Sequence, residues 1–163
     1  MANDLQIVAG NAQQLLQLVT FHVGGEGFAV EVACVREIMR LPVITSLPNA
    51  PAYVDGIINL RGGVIPIISL RERFGLSAVE SDSHTRIMVM TVGEKVVGFR
   101  VDAVSEVIRV PLGQLQPPPP LVAAGGGRQC VTGVIDRGER LLIVIDPEQL
   151  LLLSELDWEA HAA

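Results

Sequence analysis

Side chains able to do chemistry are few in this chain of 163 residues, and they do not converge. The three histidines, His22, His84 and His161, fall in a strand-like run, a polar loop and the terminal stretch. A general base needs a nucleophile and an orienting partner within hydrogen-bond reach, so a lone histidine in an alternating run reads as a half-exposed sheet residue. Cys34 and Cys130 lie far apart in the chain and read as buried thiols rather than as a disulfide or a metal pair. No Gly-x-Ser-x-Gly elbow, no Gly-x-Gly-x-x-Gly after a strand and no His-Glu-x-x-His occurs. Gly125-Gly126-Gly127-Arg128 lacks the Lys-Ser/Thr that a phosphate loop requires and reads as a linker. The expectation is a protein without catalytic residues, metal or cofactor.

Two charged residues do stand out, Glu37 inside an apolar run and Arg61 at a Gly-rich turn. Charges flanked by aliphatic surface are costly unless paired, and a carboxylate with a guanidinium fork is the pairing that geometry favours. Two readings fit them equally: a structural ion pair fixing one hairpin against the next, or a pair that gives specificity to a partner-binding face.

The elements that must position this pair are β-strands. Hydrophobic residues make up 49% of the chain and aromatics only 4%, so Val, Ile and Leu fill the core, which suits pleated sheets. Leu18 to Val23 and Phe28 to Val32 predict a hairpin across Gly24-Gly25-Glu26-Gly27, and Ile87 to Val92 with Val96 to Val101 predict another. Val35 to Met39 predicts a strand closed by Pro42. Gly56 to Leu60 and Val64 to Leu70 predict a hairpin around Arg61-Gly62-Gly63, with Pro66 implying an edge position or a bulge. Arg71 to Phe74 predicts one helical turn. Val131 to Ile135 and Leu141 to Ile145 predict a last hairpin, and Asp146-Pro147-Glu148 starts a helix running to about Trp158.

These elements come in two copies. Gly27-Phe28 returns as Gly98-Phe99, Glu37 with Pro42 as Glu106 with Pro111, Gly56-Ile57 as Gly133-Val134, and Arg61-Gly62 as Arg137-Gly138. The offsets are 71 and 69 early and 77 and 76 late, so an insertion falls where Pro117 to Pro120 and Gly125 to Gly127 sit; the proline run reads as a stiff spacer. The division expected is a loose tail over 1–14, a first β-barrel subdomain over 15–84, a second over 85–152 and a helix end with tail over 153–163. Units of about 70 residues are near the lower limit for a self-sufficient core, so the halves should pack on each other and leave a groove.

Net charge of −6 with Lys95 as the only lysine argues against nucleic acid, which clustered cations and stacking aromatics must hold. No apolar run approaches the roughly 18 residues that span a bilayer, and the first Lys or Arg is Arg36, so a soluble, cytoplasmic protein without membrane insertion is expected.

Asn59-Leu60-Arg61-Gly62, preceded by Leu47-Pro48 and Pro51-Ala52-Tyr53-Val54-Asp55-Gly56 and followed by Val64 to Arg71 and Phe74-Gly75, resembles the CheW family of bacterial chemotaxis coupling proteins. The resemblance runs from about Gln17 to Leu152. It implies an all-β fold of two small five-stranded SH3/OB-like barrels, with the option of strands exchanged between them, and a short C-terminal helix. It also implies a non-enzymatic adaptor that bridges chemoreceptor signalling tips to the regulatory domain of a CheA-type histidine kinase, in arrays beneath the membrane and in rings or lattices. Receptor-coupling positions of the family match Val35, Gly56, Gly98, Val104 and Val107, and its acid and arginine match Glu37 and Arg61, with Asn59, Leu60, Gly62 and Gly133 in the supporting motif. Glycines at 56 and 98 would let a receptor helix approach the backbone. Ser69 departs from the family, which commonly has an acid there.

Overall fold

The computed structural model describes residues 13–118 and 130–151. Ten strands form in chain order: β1 Leu15–Val23, β2 Glu26–Glu31, β3 Val35–Arg40, β4 Val54–Leu60, β5 Gly63–Ser69, β6 Arg86–Val92, β7 Lys95–Val101, β8 Ala103–Pro111, β9 Val131–Asp136 and β10 Leu141–Ile145. One helical turn, α1, spans Leu70–Arg73, and a second helix begins at 147 and continues to the last described residue, 151. The expected tail over 1–14 (save its last two residues), most of the Pro/Gly spacer and the helix beyond 151 lie outside the described residues.

Two five-stranded sheets result, in the orders β8-β1-β2-β10-β9 (sheet A) and β3-β6-β7-β5-β4 (sheet B). The sequence halves 15–84 and 85–152 are therefore not the sheets: each copy lends its first two strands to the other copy's last three. Tight hairpins carry β1–β2 and β6–β7 as units, and each unit docks by a parallel ladder, β2 on β10 and β7 on β5. Two short hairpin units of this length could not bury both faces alone, and exchange supplies each with a host sheet.

Every inner strand is two-faced. On β6, Ile87 and Val89 enter the interior of sheet B with Ile58, Ile65 and Ile67, while Met88, Met90 and Val92 face the seam between sheets. On β1, Leu16 and Leu18 fill the interior of sheet A, while Val19, Phe21 and Val23 join the seam. Period-two alternation thus sorts one strand between two apolar layers, which is why β6 reads almost wholly aliphatic. Phe21, Phe28 and Phe74 stack across the seam with centroids 5.9 and 5.0 Å apart.

Register reveals the true correspondence of the copies. Cross-strand neighbours run Gly56, Ile67, Gly98, Val89, Glu37 through sheet B and Gly133, Val144, Ala29, Thr20, Glu106 through sheet A. Gly98 therefore answers to Ala29 (98 − 29 = 69) and not to Gly27, and Ile67 to Val144 (144 − 67 = 77). The match of Gly27 with Gly98 was two residues off; a slip of two leaves the in/out pattern unchanged, so patterning alone does not detect it. The bulges repeat too, at Arg36 and Ser105 on the edge strands and at Asp55 and Thr132 on the opposite edges.

Pro66 does not lie on an edge, since β5 stands between β7 and β4. Its partner Ile57 exchanges both backbone bonds with Thr45, and the parallel ladder to β7 starts only at Ile67, so the missing N–H leaves no gap. Thr45 thereby covers β4, and Gln116 covers β9 through Val134 in the same way. Ser69 caps α1 by accepting from the Glu72 N–H, and its counterpart Asp146 accepts from the Glu148 N–H. The departure from the family's acid is thus one capping residue for another.

Candidate functional site

Arg61 and Gly62 form the two-residue turn between β4 and β5, with φ of 51° and 86°. Two positive φ values match the right-handed twist of a hairpin, and Gly62 adopts one at no steric cost. Arg61 does not: a left-handed residue with a Cβ is strained. Asn59 steadies the turn by accepting the Gly62 N–H at 3.2 Å. At the other hairpin tip the position is Gly138, φ 93°, because the constant offset of 77 puts Arg137 opposite Leu60. The sequence match of Arg61 with Arg137 was one residue off.

From that strained turn the Arg61 guanidinium donates to Glu37 on β3 in a fork, Nη1 to Oε2 at 2.6 Å and Nη2 to Oε1 at 3.1 Å. Sheet B is thus curled until its two edges, β3 and the β4–β5 tip, meet at this pair. The bulge at Arg36 immediately before Glu37 re-aims the carboxylate. The hydrogen bond from Arg61 holds the Glu37 carboxyl below the usual carboxylate range and holds Arg61 above its ordinary value. Side-chain exposure is 73% for Arg61 and 26% for Glu37, and exposed ion pairs contribute little stability. A strained turn thus presents a bond that contributes little to stability.

The five apolar positions do not form one open surface. Val35 and Val104 are counterparts, 69 apart, and both pack partly buried against the seam. Val107 on edge strand β8 is 60% exposed, and its counterpart Ile38 on β3 is 40% exposed. Gly56 and Gly98 are buried, and the expectation that they stand open to a partner is corrected. A Cβ on Gly56, which has φ 145°, would lie 2.0 Å from the Thr45 carbonyl oxygen, and one on Gly98 would lie 2.6 Å from Ile67 Cδ1. The close approach is made by this chain's own backbone and core. Gly133 repeats the arrangement under Gln116 O at 2.5 Å.

Other charges serve the scaffold. Arg100 and Asp55 form a two-bond pair within sheet B, largely buried, and the bond to Asp55 holds Arg100 above its ordinary value. Neither this pair nor Arg71 with Asp102 is legible from local spacing: Asp55 sits on a bulge that breaks alternation, and the partners lie 45 and 31 residues apart in the chain. Cys130 is buried, which pushes its thiol up; Cys34 is only half-buried, and the two form no disulfide. Among the described residues no group of three or more His, Cys, Asp and Glu could hold a metal ion, and no helix is long and apolar enough to cross a membrane.

Comparison with known proteins agrees with this architecture. The CheW-like domain profile matches residues 17–155. The chain is 35% identical over 140 residues to a chemotaxis protein CheW of Klebsiella aerogenes, covering 86% of this chain and 84% of that one. It is 38% identical over 144 residues to a probable chemotaxis protein CheW of Rhizobium etli, covering 88% and 91%. Among solved structures, the scaffolding protein TtCheW of Thermoanaerobacter tengcongensis superposes with a TM-score of 0.77 at 31% identity, covering 84% and 92%.

Proposed function

Since the chain belongs to the CheW-like family of chemotaxis scaffolding proteins, we propose that it is a non-enzymatic adaptor coupling chemoreceptor signalling tips to the regulatory domain of a CheA-type histidine kinase. Support comes first from the Glu37–Arg61 pair: a non-glycine residue is held in a left-handed turn to present a guanidinium whose bond contributes little to stability. On this reading the pair shapes the kinase-coupling face at the closed edge of sheet B. The receptor's helical tip docks beside the seam, where Val35 and Val104 reach the surface from the core and Val107 presents exposed aliphatic area on β8. Gly56 and Gly98 contribute indirectly, by letting the chain pack closely beneath that surface. Opposite edges of the two sheets give two faces, which suits rings or lattices built from many modest contacts. The protein then works in the cytoplasm, at the inner face of the membrane through its receptors.

Arg61→Glu tests this reading. It places like charges side by side at an exposed site, so receptor-dependent kinase control should be lost while circular dichroism and Tm stay near those of the parent. Full kinase control by a folded Arg61→Glu protein would overturn the assignment.

A further inference from the structure

The chain passes between the sheets only twice among the described residues, from β2 to β3 through Val32–Cys34 and from β7 to β8 through Asp102 alone. What lies between the sheets is an apolar seam, and apolar contact is non-directional: it favours closeness without fixing an angle. Hydrogen bonds fix angles. At Asp102 they gather. Its Oδ2 accepts the Gly24 N–H at 2.8 Å from the β1–β2 turn of sheet A and Arg71 Nη1 at 2.6 Å from α1, which follows β5 of sheet B. Its own N–H donates to the His22 carbonyl at 3.0 Å. Arg71 Nε meanwhile donates to the Ser77 carbonyl at 2.7 Å, and Leu76 lies against Gly24, where a Cβ would come within 2.3 Å of Leu76 Cδ1. At the other crossing the counterpart of Asp102 is Ala33, which has no group able to build such a cluster, and the counterpart of Arg71 is Glu148.

We infer that Asp102 is a positioning residue: its carboxylate clasps the β1–β2 turn to α1, fixes the angle between the two sheets, and so sets the shape of the docking surface beside the seam. The last step rests on the adaptor reading above; the clasp itself does not. A chain that loses the clasp samples other angles, and its affinity for the receptor tip falls with the fraction of time spent at the competent one.

The test uses the full chain in a Cys34→Ser, Cys130→Ala background carrying nitroxides at Val64→Cys on sheet B and Leu141→Cys on sheet A, both exposed positions. Asp102→Asn and the milder Arg71→Gln should displace or widen the spin–spin distance distribution. Asp55→Asn, which breaks the pair confined to sheet B, should lower Tm and leave the distribution unchanged. An unaltered distribution in both clasp variants overturns the inference, as does an equal change in Asp55→Asn. Receptor-tip affinity, read by titration calorimetry, should fall about tenfold in Asp102→Asn. A changed distribution with undiminished affinity upholds the clasp and sinks the docking surface instead.

Discussion

The two hairpin tips, β4–β5 and β9–β10, are built to one plan and end differently. Both follow a buried glycine, Gly56 or Gly133, that lets a preceding segment cross close above the strand. Both use a side-chain oxygen to hold a glycine N–H, Asn59 to Gly62 and Asp136 to Gly138. At the turn itself one tip has Gly138 in the left-handed conformation and the other has Arg61. Glu37 and Glu106 are likewise counterparts, yet only Glu37 meets a guanidinium among the described residues. Duplication thus supplies two scaffolds, and only one of them holds a non-glycine residue in the left-handed turn conformation.

The strongest way to break that contrast is to exchange the turns. Arg61→Gly should relax the turn and raise stability slightly while abolishing kinase coupling, and Gly138→Arg in the same chain should not restore it. Coupling assays beside denaturant melts decide this; recovery of coupling by the double variant would show the tips to be interchangeable. Next in size is the glycine pair. Gly56→Ala adds a Cβ at positive φ against backbone and should cost about 3 kcal/mol, whereas Gly133→Ala, without the positive φ, should cost less. Urea unfolding midpoints at constant m-value measure both. Lost receptor binding in Gly56 variants would then report damage to the fold.

Helix caps sharpen the comparison further. Ser69→Ala should cost about 1 kcal/mol by freeing the Glu72 N–H, and Asp146→Ala should cost a similar amount at the counterpart. The smallest effect concerns acid. Glu37 has a carboxyl pKa lowered in the folded state, so the contribution of its pair to stability is present above the unfolded carboxylate pKa and is lost as pH falls through the folded value. Carbon-detected NMR titration should find Glu37 below the usual range in the parent and moved upward in Arg61→Gln. No movement would show that Arg61 is not the cause.

Strand positions were legible because alternation, Gly-rich turns and proline stops are local signals: β3, β6, β7 and β10 fall within a residue of their expected ends. Glu37 with Arg61 was legible as well, since each is a charge in aliphatic surroundings. The scaffold pairs were not. Asp55 sits on a bulge and meets Arg100 across the sheet, and Asp102 meets Arg71 only because strands exchange. The aligned Gly-Phe and Arg-Gly repeats misled for a related reason: similarity of short motifs outweighed register, which only paired strands reveal.

By itself the sequence determined an aliphatic, duplicated β protein with a specific acid–arginine pair, because side-chain period, turn conformation and charge are properties of neighbours along the chain. Tertiary structure decided which copy's strands share a sheet, that Gly56 and Gly98 are filled from within, and that one crossing between sheets is clasped. Those outcomes depend on long-range pairing, where many registers satisfy the same alternation and only simultaneous burial of both faces of every inner strand selects among them.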